Sequence, residues 1–420
     1  MLRFARNDGA SLAATETLLR CSSLRAEGVA IHHKEEQMKQ YTPEEMKNIY
    51  AARRAIIAQY LKDNEIGAAV YIDSEEHRDP AIPYLTGHNA DAIVIIFSDG
   101  FTYLIPWDEN LAKKNAFYDK LVPYTRYKNK DIDAVKAILN VGYTHGVNSK
   151  IQLPPYLTYP QYLHFIDELN NYDCRCTEEG VHTFTVSCRV IKDEYEIECL
   201  RQAARIGDLI VDKIEEKIKD GSIKTEADVA LFIERECREQ GCERTGFDTL
   251  AAGPERSFAI HAFPNYTNAP WPAKGLSILD FGVVYKGYTS DMTITVAKGR
   301  LSPEQKKQLE LVQKAYDECL KVYKPGHTIH EAAKRADFIF SKAKRKMPHT
   351  LGHGIGLEIH EYPRVSTRMP ADLEFTPGMV LTLEPGLYDE TLGGTRLEND
   401  VLITENGSEV ITHSRIIYIK

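Results

Sequence analysis

The sequence is poor in cysteine and in long apolar runs, and each shortage excludes a class of protein. Eight cysteines are spread over 420 residues without any paired C-x-x-C spacing, which excludes a disulfide-rich scaffold and a four-cysteine zinc site. No apolar run approaches the roughly 18 residues that span a membrane, and the N-terminus has no apolar signal core. We therefore expect a protein of the reducing cytoplasm without a membrane partner.

The chain also lacks an excess of positive charge. Its formal net charge is −9 and no basic stripe stands out, which argues against nucleic acid as a partner. Its 43% hydrophobic and 27% charged residues are typical of a globular protein. At 420 residues the chain exceeds the size at which one hydrophobic core keeps growing, so we expect at least two domains.

Patterns along the chain divide it into four segments. Residues 1–40 have no clear hydrophobic period, and we interpret them as a flexible N-terminal extension. Residues 41–175 alternate helix and strand signals and predict an α/β domain. We interpret residues 176–192 as a linker and residues 193–420 as a second domain of the α+β class.

Within the second domain one order of elements occurs twice. Two helical patterns come first, the second opened by a capping-box-like signal at Thr225, and strand candidates at 276–285 and 288–297 follow. From Ser302 onward two helical patterns and two strand candidates come again. The repeated order predicts an internally duplicated unit of two helices and a hairpin.

One short segment, His349–Glu361, holds three histidines with glycines packed around the middle one. The histidines are His349, His353 and His360. Glycine lets the backbone approach a ligand closely, and imidazoles suit metal ligation or proton transfer near neutral pH. A lone histidine is more often a packed or surface residue, but three in one glycine-rich segment favour a functional site.

Four carboxylates lie on strand candidates with apolar neighbours, namely Asp280, Asp291, Glu384 and Glu398. If Lys286 and Gly287 form a two-residue turn, Asp280 lies diagonal to Asp291 on one face of the hairpin; a turn placed one residue earlier would set them directly opposite. Two unpaired carboxylates in this setting would repel each other, so either one is protonated or a cation lies between them.

With one imidazole, these four carboxylates make a hard, oxygen-rich ligand set. Such a set favours manganese, with cobalt or zinc as alternatives. Five side chains with this many oxygens are too many for one small ion and suit a pair of ions. A pair of this kind activates a bridging water and polarises a carbonyl.

The segments that carry these residues resemble the pita-bread metallopeptidases, which include aminopeptidase P, prolidase and methionine aminopeptidase. The matching segments, in the family's order, are 279–282, 287–293, 352–361, 383–386 and 394–400. The resemblance implies a pita-bread catalytic domain over residues 193–420. It also implies a site for two divalent ions, whose ligands would be Asp280, Asp291, His353, Glu384 and Glu398.

The resemblance further implies a role for each site residue. Asp291 and Glu398 would bridge the ions, and Glu384 would handle the proton of the attacking water. His360 would contact the substrate carbonyl or the tetrahedral intermediate, and His261 would lie near the scissile bond.

Other matches indicate the proline-directed branch of the family. His349 and Arg396 match positions that shape the substrate pocket there, and Tyr84–His88 lies in a part of residues 41–175 that resembles the creatinase-like N-terminal domain of that branch. This implies an aminopeptidase or dipeptidase for peptides with proline in the second position, acting as a homodimer. The alternatives are a non-catalytic interaction module and a creatinase-like amidinohydrolase, both of which would be expected to lack part of the ligand set.

Overall fold

The computed structural model describes residues 39–128, 130–141 and 149–420, which form two compact units, Lys39–Cys188 and Arg189–Lys420. The expected N-terminal extension lies outside the described residues except for its last two. The expected linker contains a helix, Val181–Cys188, and the N–H of its first residue donates to Gln152 of the first unit. None of the helices in the described ranges is long and apolar enough to cross a membrane.

The first unit is an α/β domain with one mixed sheet in the order β4-β3-β2-β1-β5-β6. Its strands are β1 (Ala68–Asp73), β2 (Ala92–Phe97), β3 (Thr102–Pro106), β4 (Lys120–Leu121), β5 (Lys150–Gln152) and β6 (Asp173–Arg175). Its helices are α1 (Pro43–Asp63), α2 (Ala81–Thr86), α3 (Glu109–Asn115), α4 (Asp131–Val141), α5 (Tyr159–Glu168) and α6 (Val181–Cys188). The three central strands β1, β2 and β3 are buried along their whole length, which explains their nearly continuous apolar sequences.

The second unit places two helices before each of its two larger sheets, one of five antiparallel strands and one of four strands whose last strand joins in parallel. Its helices are α7 (Glu194–Lys219), α8 (Glu226–Glu239), α9 (Pro303–Leu320) and α10 (Ile329–Lys342). The strands up to α9 are β7 (Arg244–Thr245), β8 (Leu250–Ala252), β9 (Gly275–Phe281), β10 (Val283–Tyr285), β11 (Tyr288–Thr289) and β12 (Met292–Lys298). Those after α10 are β13 (Gly352–Gly354), β14 (Glu361–Val365), β15 (Val380–Leu383), β16 (Gly386–Asp389), β17 (Gly393–Arg396), β18 (Asn399–Thr404), β19 (Gly407–Val410) and β20 (Ile416–Ile419).

The hairpin of β9 to β12 has the first of the two registers considered above. Lys286 and Gly287 have positive φ angles of 49° and 84°, as a two-residue type I′ turn requires. In the ladder Asp280 pairs with Thr293, which places Asp280 diagonal to Asp291. The two carboxylates therefore start from one face of the same hairpin.

Each of the two expected strands of this hairpin is interrupted in the structure. A Cβ at Gly282 would lie 1.9 Å from the carbonyl oxygen of Ser290, so the backbones approach too closely for any other residue. Ser290 Oγ accepts the N–H of Val283 at 3.1 Å, which replaces a ladder hydrogen bond. The interruption lies directly beside Asp291.

Strand ends also position the other two carboxylates of the predicted ligand set. Glu384 directly follows β15, and Glu398 directly precedes β18. An isolated bridge between Thr293 and Glu398 joins the sheet of β9 and β12 to the sheet of β15 and β18. Carboxylates from the two sheets can therefore meet at this junction.

Glu361, the first residue of β14, is buried between two cations. Arg189 donates to its Oε1, and Lys192 Nζ lies 3.0 Å from its Oε2. Burial alone would raise the pKa of Glu361, but the two cations outweigh it and lower the pKa to about 2. This charged network fixes the segment in which His360 lies.

Replacing Glu361 with glutamine should lower the free energy of unfolding by about 3–5 kcal/mol, because Arg189 and Lys192 then stay buried without an anion. Urea unfolding followed by the emission of fully buried Trp271 measures this, in a background where Trp107 is phenylalanine. The folded pKa is about 2 and the ordinary value is 4.5. The loss should therefore be constant from about pH 8 to about pH 5 and shrink only below the ordinary value.

Glu358→Gln is the matched control. Glu358 lies 2.8 Å from the same Arg189, but its side chain is 49% exposed. Its replacement should cost less than about 1 kcal/mol, since solvent screens the pair. Equal losses for the two variants would contradict the assignment of Glu361 as the buried anchor.

Candidate metal centre

His353 in β13 directs one ring nitrogen at two carboxylates. Its Nδ1–H donates to the carbonyl oxygen of Gly354 at 3.0 Å, so Nε2 carries the lone pair. Nε2 lies 3.6 Å from Oδ2 of Asp291 and 3.4 Å from Oε1 of Glu384. Burial, and then the charge of His360, lower the pKa of His353 to about 3, so the ring is neutral. A lone pair that faces carboxylate oxygens is unfavourable unless a cation lies between them, and a backbone partner on the other nitrogen is typical of metal-binding histidines.

Asp291, His353 and Glu398 form the centre of the cluster. One ligand atom from each lies within 4.8 Å of the others. Burial and then the charge of Glu398 raise the pKa of Asp291 well above its ordinary value. Burial and the charge of Asp280 raise the pKa of Glu398 to about 7. These buried like charges destabilise one another, and a cation would relieve the repulsion.

Asp280 and Glu384 complete the carboxylate set. Oδ1 of Asp280 is buried and has no hydrogen-bond partner within the described part of the chain. Burial, and then the charge of Glu398, raise the pKa of Glu384 well above its ordinary value. Threonines donate hydrogen bonds to two of the four carboxylates. Thr293 Oγ1 donates to Glu398 at 2.6 Å, and Thr382 Oγ1 donates to Glu384 at 3.4 Å.

Arg396 brings a positive charge into contact with this cluster. Its Nη2 donates to Oδ2 of Asp280, and its Nε lies 3.7 Å from Oε2 of Glu398. The Arg396 side chain is 3% exposed. One guanidinium offsets a single negative charge, whereas four carboxylates converge here. Most of the negative charge is therefore left for other cations.

A chain of hydrogen bonds leads from Arg396 to His349. Arg396 Nη1 donates to Tyr388 Oη at 2.8 Å, and Tyr388 Oη lies 3.0 Å from His349 Nε2. Since Nδ1–H of His349 donates to the Thr350 carbonyl at 2.8 Å, Tyr388 is the donor to Nε2. Burial, and then Arg396, lower the pKa of His349 to about 4, so this ring is neutral too. His349 Nδ1 lies 3.6 Å from Glu384 Oε2.

The remaining two histidines lie at the exposed side of the cluster. The His360 ring packs edge-to-face on His353 with centroids 4.4 Å apart. Burial, followed by the charges of Arg364 and His261, lowers the pKa of His360. His261 is exposed, and its charge also contributes to lowering the pKa of His349, so it acts on both rings. The structure thus gathers all the residues singled out from the sequence, namely His261, Asp280, Asp291, His349, His353, His360, Glu384, Arg396 and Glu398.

The structure adds four residues that the sequence analysis did not single out, namely Thr293, Thr382, Tyr388 and Asp400. Three of them lie two positions from a predicted ligand, so the period of a strand could have found them. Asp400 is fully buried, and its Oδ2 accepts the N–H of Asp291 at 3.0 Å. Tyr388 has no such spacing, and its place beside Arg396 arises from the pairing of β16 with β17.

The donors present fit divalent cations. Carboxylate oxygens and one imidazole nitrogen form a hard ligand set. Three of the carboxyl groups have raised pKa values, and an oxygen of Asp280 is buried without a hydrogen bond from the described residues. Both observations are expected where a cation belongs.

Comparison with known proteins identifies the family. Metallopeptidase family M24 matches residues 198–405. A protein named Xaa-Pro dipeptidase from Pyrococcus horikoshii is 31% identical over 360 residues, which cover 85% of this chain and 95% of that protein. The chain belongs to metallopeptidase family M24. It is therefore a metal-dependent hydrolase, and the family predicted from the motifs is confirmed.

Solved structures confirm the predicted pita-bread fold of this M24 protein. The prolidase from P. horikoshii superimposes with a TM-score of 0.75 at 27% identity, covering 87% of this chain and 99% of that one. The X-Pro aminopeptidase from Thermotoga maritima gives a TM-score of 0.75 at 26% identity, with the same coverage. The likeness thus extends over both units of the chain.

Asp291→Asn should abolish the stabilisation that divalent metal gives to this M24 protein. For the wild type, manganese at about 100 times its dissociation constant should raise the melting temperature by roughly 5–10 °C. The variant should show less than about 2 °C if Asp291 is a ligand, because it lacks the negative charge at that position. Its metal-free melting temperature should be equal or higher, since a neutral amide removes repulsion from the cluster.

Differential scanning calorimetry with and without manganese makes this comparison. Asp317→Asn, which neutralises an exposed acid on α9, is the control and should keep the full metal effect. A normal metal effect in Asp291→Asn would contradict the assignment of Asp291 as a ligand.

Proposed function

We propose that this chain is a two-metal hydrolase that releases an N-terminal residue preceding proline. Relatives named Xaa-Pro dipeptidase in Pyrococcus horikoshii and Pyrococcus furiosus, each 31% identical, support this substrate class. The observation that carries the proposal is the cluster of Asp291, His353 and Glu398, whose ligand atoms lie within 4.8 Å of one another, with Asp280 and Glu384 beside it. The two alternatives, an interaction module and an amidinohydrolase, are not favoured because the full set is present.

The proposed ligands are Asp280, Asp291, His353, Glu384 and Glu398. Asp291 and Glu398 lie at the centre of the cluster and would bridge the two ions. Manganese is the proposed metal, with cobalt or zinc as alternatives, since the donors are mostly carboxylate oxygens. When bound, such a pair of ions activates a water and polarises the scissile carbonyl.

The protein's own groups would handle protons and orient the substrate. Burial raises the pKa of Glu384, which supports a role for this carboxylate in accepting the proton of the attacking water. His360 is exposed and packs against His353, which supports a role in donating a hydrogen bond to the substrate carbonyl oxygen. We propose that His261, whose charge acts on His360, assists near the scissile bond.

The proposed preference for proline has a physical reason. Proline has no N–H and a fixed φ angle, so its pocket needs flat, mostly apolar walls rather than an acceptor for that N–H. The rings of His349 and Tyr388 stand edge-to-face with centroids 5.6 Å apart, and Arg396 donates a hydrogen bond to the Tyr388 hydroxyl. We propose that these three side chains form the wall of the proline pocket.

Two further features remain proposals. The seven cysteines that the structure describes are free thiols, which supports a reducing cytoplasm as the location. The homodimer rests on the resemblance to the proline-directed branch, and light scattering of the purified protein tests it.

A peptide panel tests the proposed function and its length preference together. With manganese, Ala-Pro should be cleaved by a dipeptidase, Ala-Pro-Ala by an aminopeptidase, and Ala-Ala-Ala by neither. Chromatography of released alanine measures all three. Cleavage of Ala-Ala-Ala at the same rate would contradict the proline preference, and full activity after exhaustive chelation would contradict metal dependence.

His360→Ala should lower kcat by about 100- to 1,000-fold, because it removes a hydrogen-bond donor to the developing oxyanion. Its bound manganese, measured by elemental analysis, should stay unchanged since His360 is not among the proposed ligands. His330→Ala, which alters a histidine on α10 near the Met369 carbonyl, is the control. Loss of metal together with activity would show that His360 acts on the ions rather than on the substrate.

A further inference from the structure

The loop that carries His261 has no regular secondary structure and little apolar burial to hold it in place. This His261 loop, residues 254–266, contains no helix or strand. Its tip is solvated, since His261 is exposed and Phe263 is 93% exposed. Ala262 and, in part, Ala259 pack into a small apolar cluster with Ile278, which buries only small side chains of the loop. An irregular segment of this kind loses much conformational entropy on ordering, so other contacts must fix it.

One buried carboxylate, Glu226 at the start of α8, binds both ends of this loop. Its Oε1 accepts the N–H of Gly253 at 2.8 Å, immediately before the loop. Its Oε2 accepts the N–H of Thr267 at 2.8 Å and the Thr267 hydroxyl at 2.6 Å, immediately after the loop. Glu226 is fully buried. Each oxygen therefore holds a different end of the same segment.

Arg256 extends this contact into the loop itself. Its Nη1 donates to Oε2 of Glu226, and its Nη2 donates to the carbonyl oxygen of Pro264. The guanidinium thus links the buried carboxylate to a residue three positions from His261. Charge-assisted hydrogen bonds of this kind are stronger and more directional than neutral ones.

The loop is also fixed against the candidate metal centre. Arg396, which contacts Asp280, donates from Nη1 to the carbonyl oxygen of Ile260 at 3.3 Å. Ser257 Oγ accepts the N–H of Gly394 at 2.9 Å. A displacement of the loop ends would therefore move His261 relative to the site.

We infer that Glu226 is a positioning residue that clamps both ends of the His261 loop and so sets the place of His261 at the active site. Its link to catalysis rests on the proposed function, but the clamp itself does not. Glutamine at this position has one carbonyl oxygen in place of two acceptors. It can therefore accept hydrogen bonds from one end of the loop but not from both. Its NH₂ group would face a hydrogen-bond donor at the other end.

Hydrogen exchange followed by mass spectrometry tests the clamp on the full, manganese-loaded chain. In Glu226→Gln the amides of the His261 loop should exchange at least about ten-fold faster, as expected for the loss of a charged hydrogen bond. Peptides from β9 and β12 should change by less than about two-fold. Glu239→Gln, at the exposed other end of α8, is the control and should leave the loop unchanged. Unchanged loop exchange in Glu226→Gln would overturn the inference.

Kinetics with the preferred proline peptide then test whether Glu226 acts through His261. Glu226→Gln alone should lower kcat/KM by about ten-fold or more, with bound manganese retained. The double variant with His261→Ala should be no worse than His261→Ala alone within about two-fold, because a misplaced histidine and an absent one are equivalent. Fully multiplicative losses would show that Glu226 acts elsewhere and would overturn the positioning role.

Two further comparisons distinguish a failure of the clamp from a variant that does not fold and from a failure of the proposed function. If Glu226→Gln does not fold, Thr267→Val removes one of the four hydrogen bonds to the carboxylate and should give a smaller change of the same kind in loop exchange and in kcat/KM. If the wild type cleaves no peptide, the proposed function fails, while loop exchange still decides the clamp.

Discussion

Repulsion among buried carboxylates is the constraint on which the second unit depends. Asp291 and Glu398 are 5% and 2% exposed, and they come from two different sheets that meet at their positions. At about 4–5 Å and an effective dielectric constant of about 20, each like-charged pair costs roughly 3–4 kcal/mol. The metal-free fold bears this cost because strand ends hold the groups in place. Cation binding relieves the repulsion, so metal affinity and fold stability are linked.

The second unit contains two kinds of buried carboxylate, and their partners distinguish them. Glu361 and Glu226 are fully paired: the first lies between two cations, and the second accepts hydrogen bonds at both oxygens. Asp280 and Asp291 are incompletely paired and lie among other acids. Paired carboxylates of this unit lie beside the segments that carry His360 and His261, whereas incompletely paired ones face the site. A fully paired acid stabilises structure, whereas incomplete pairing at the face of the site is what a ligand is expected to show.

Much of this site could be predicted from short-range patterns in the sequence. The Lys286-Gly287 turn and the period of two set the register that makes Asp280 diagonal to Asp291, and the structure has that register. Periodicity could not predict the interruption at Gly282, because it depends on the approach of another strand's backbone. Nor could it predict that Glu226 reaches Thr267, since a capping signal identifies a helix start but not the distant partners of the side chain beside it.

Charge balance favours two ions over one. Asp400 adds a fifth carboxylate behind the four proposed ligands, and its buried Oδ2 binds the backbone N–H of Asp291. The neighbouring histidines His349 and His353 are neutral, so Arg396 is the charged side chain that opposes these acids in the contacts described above. With all five acids ionised, one guanidinium and two divalent cations match their five negative charges. A single divalent ion would leave two negative charges in a largely buried site, which is the costlier arrangement unless protons take its place.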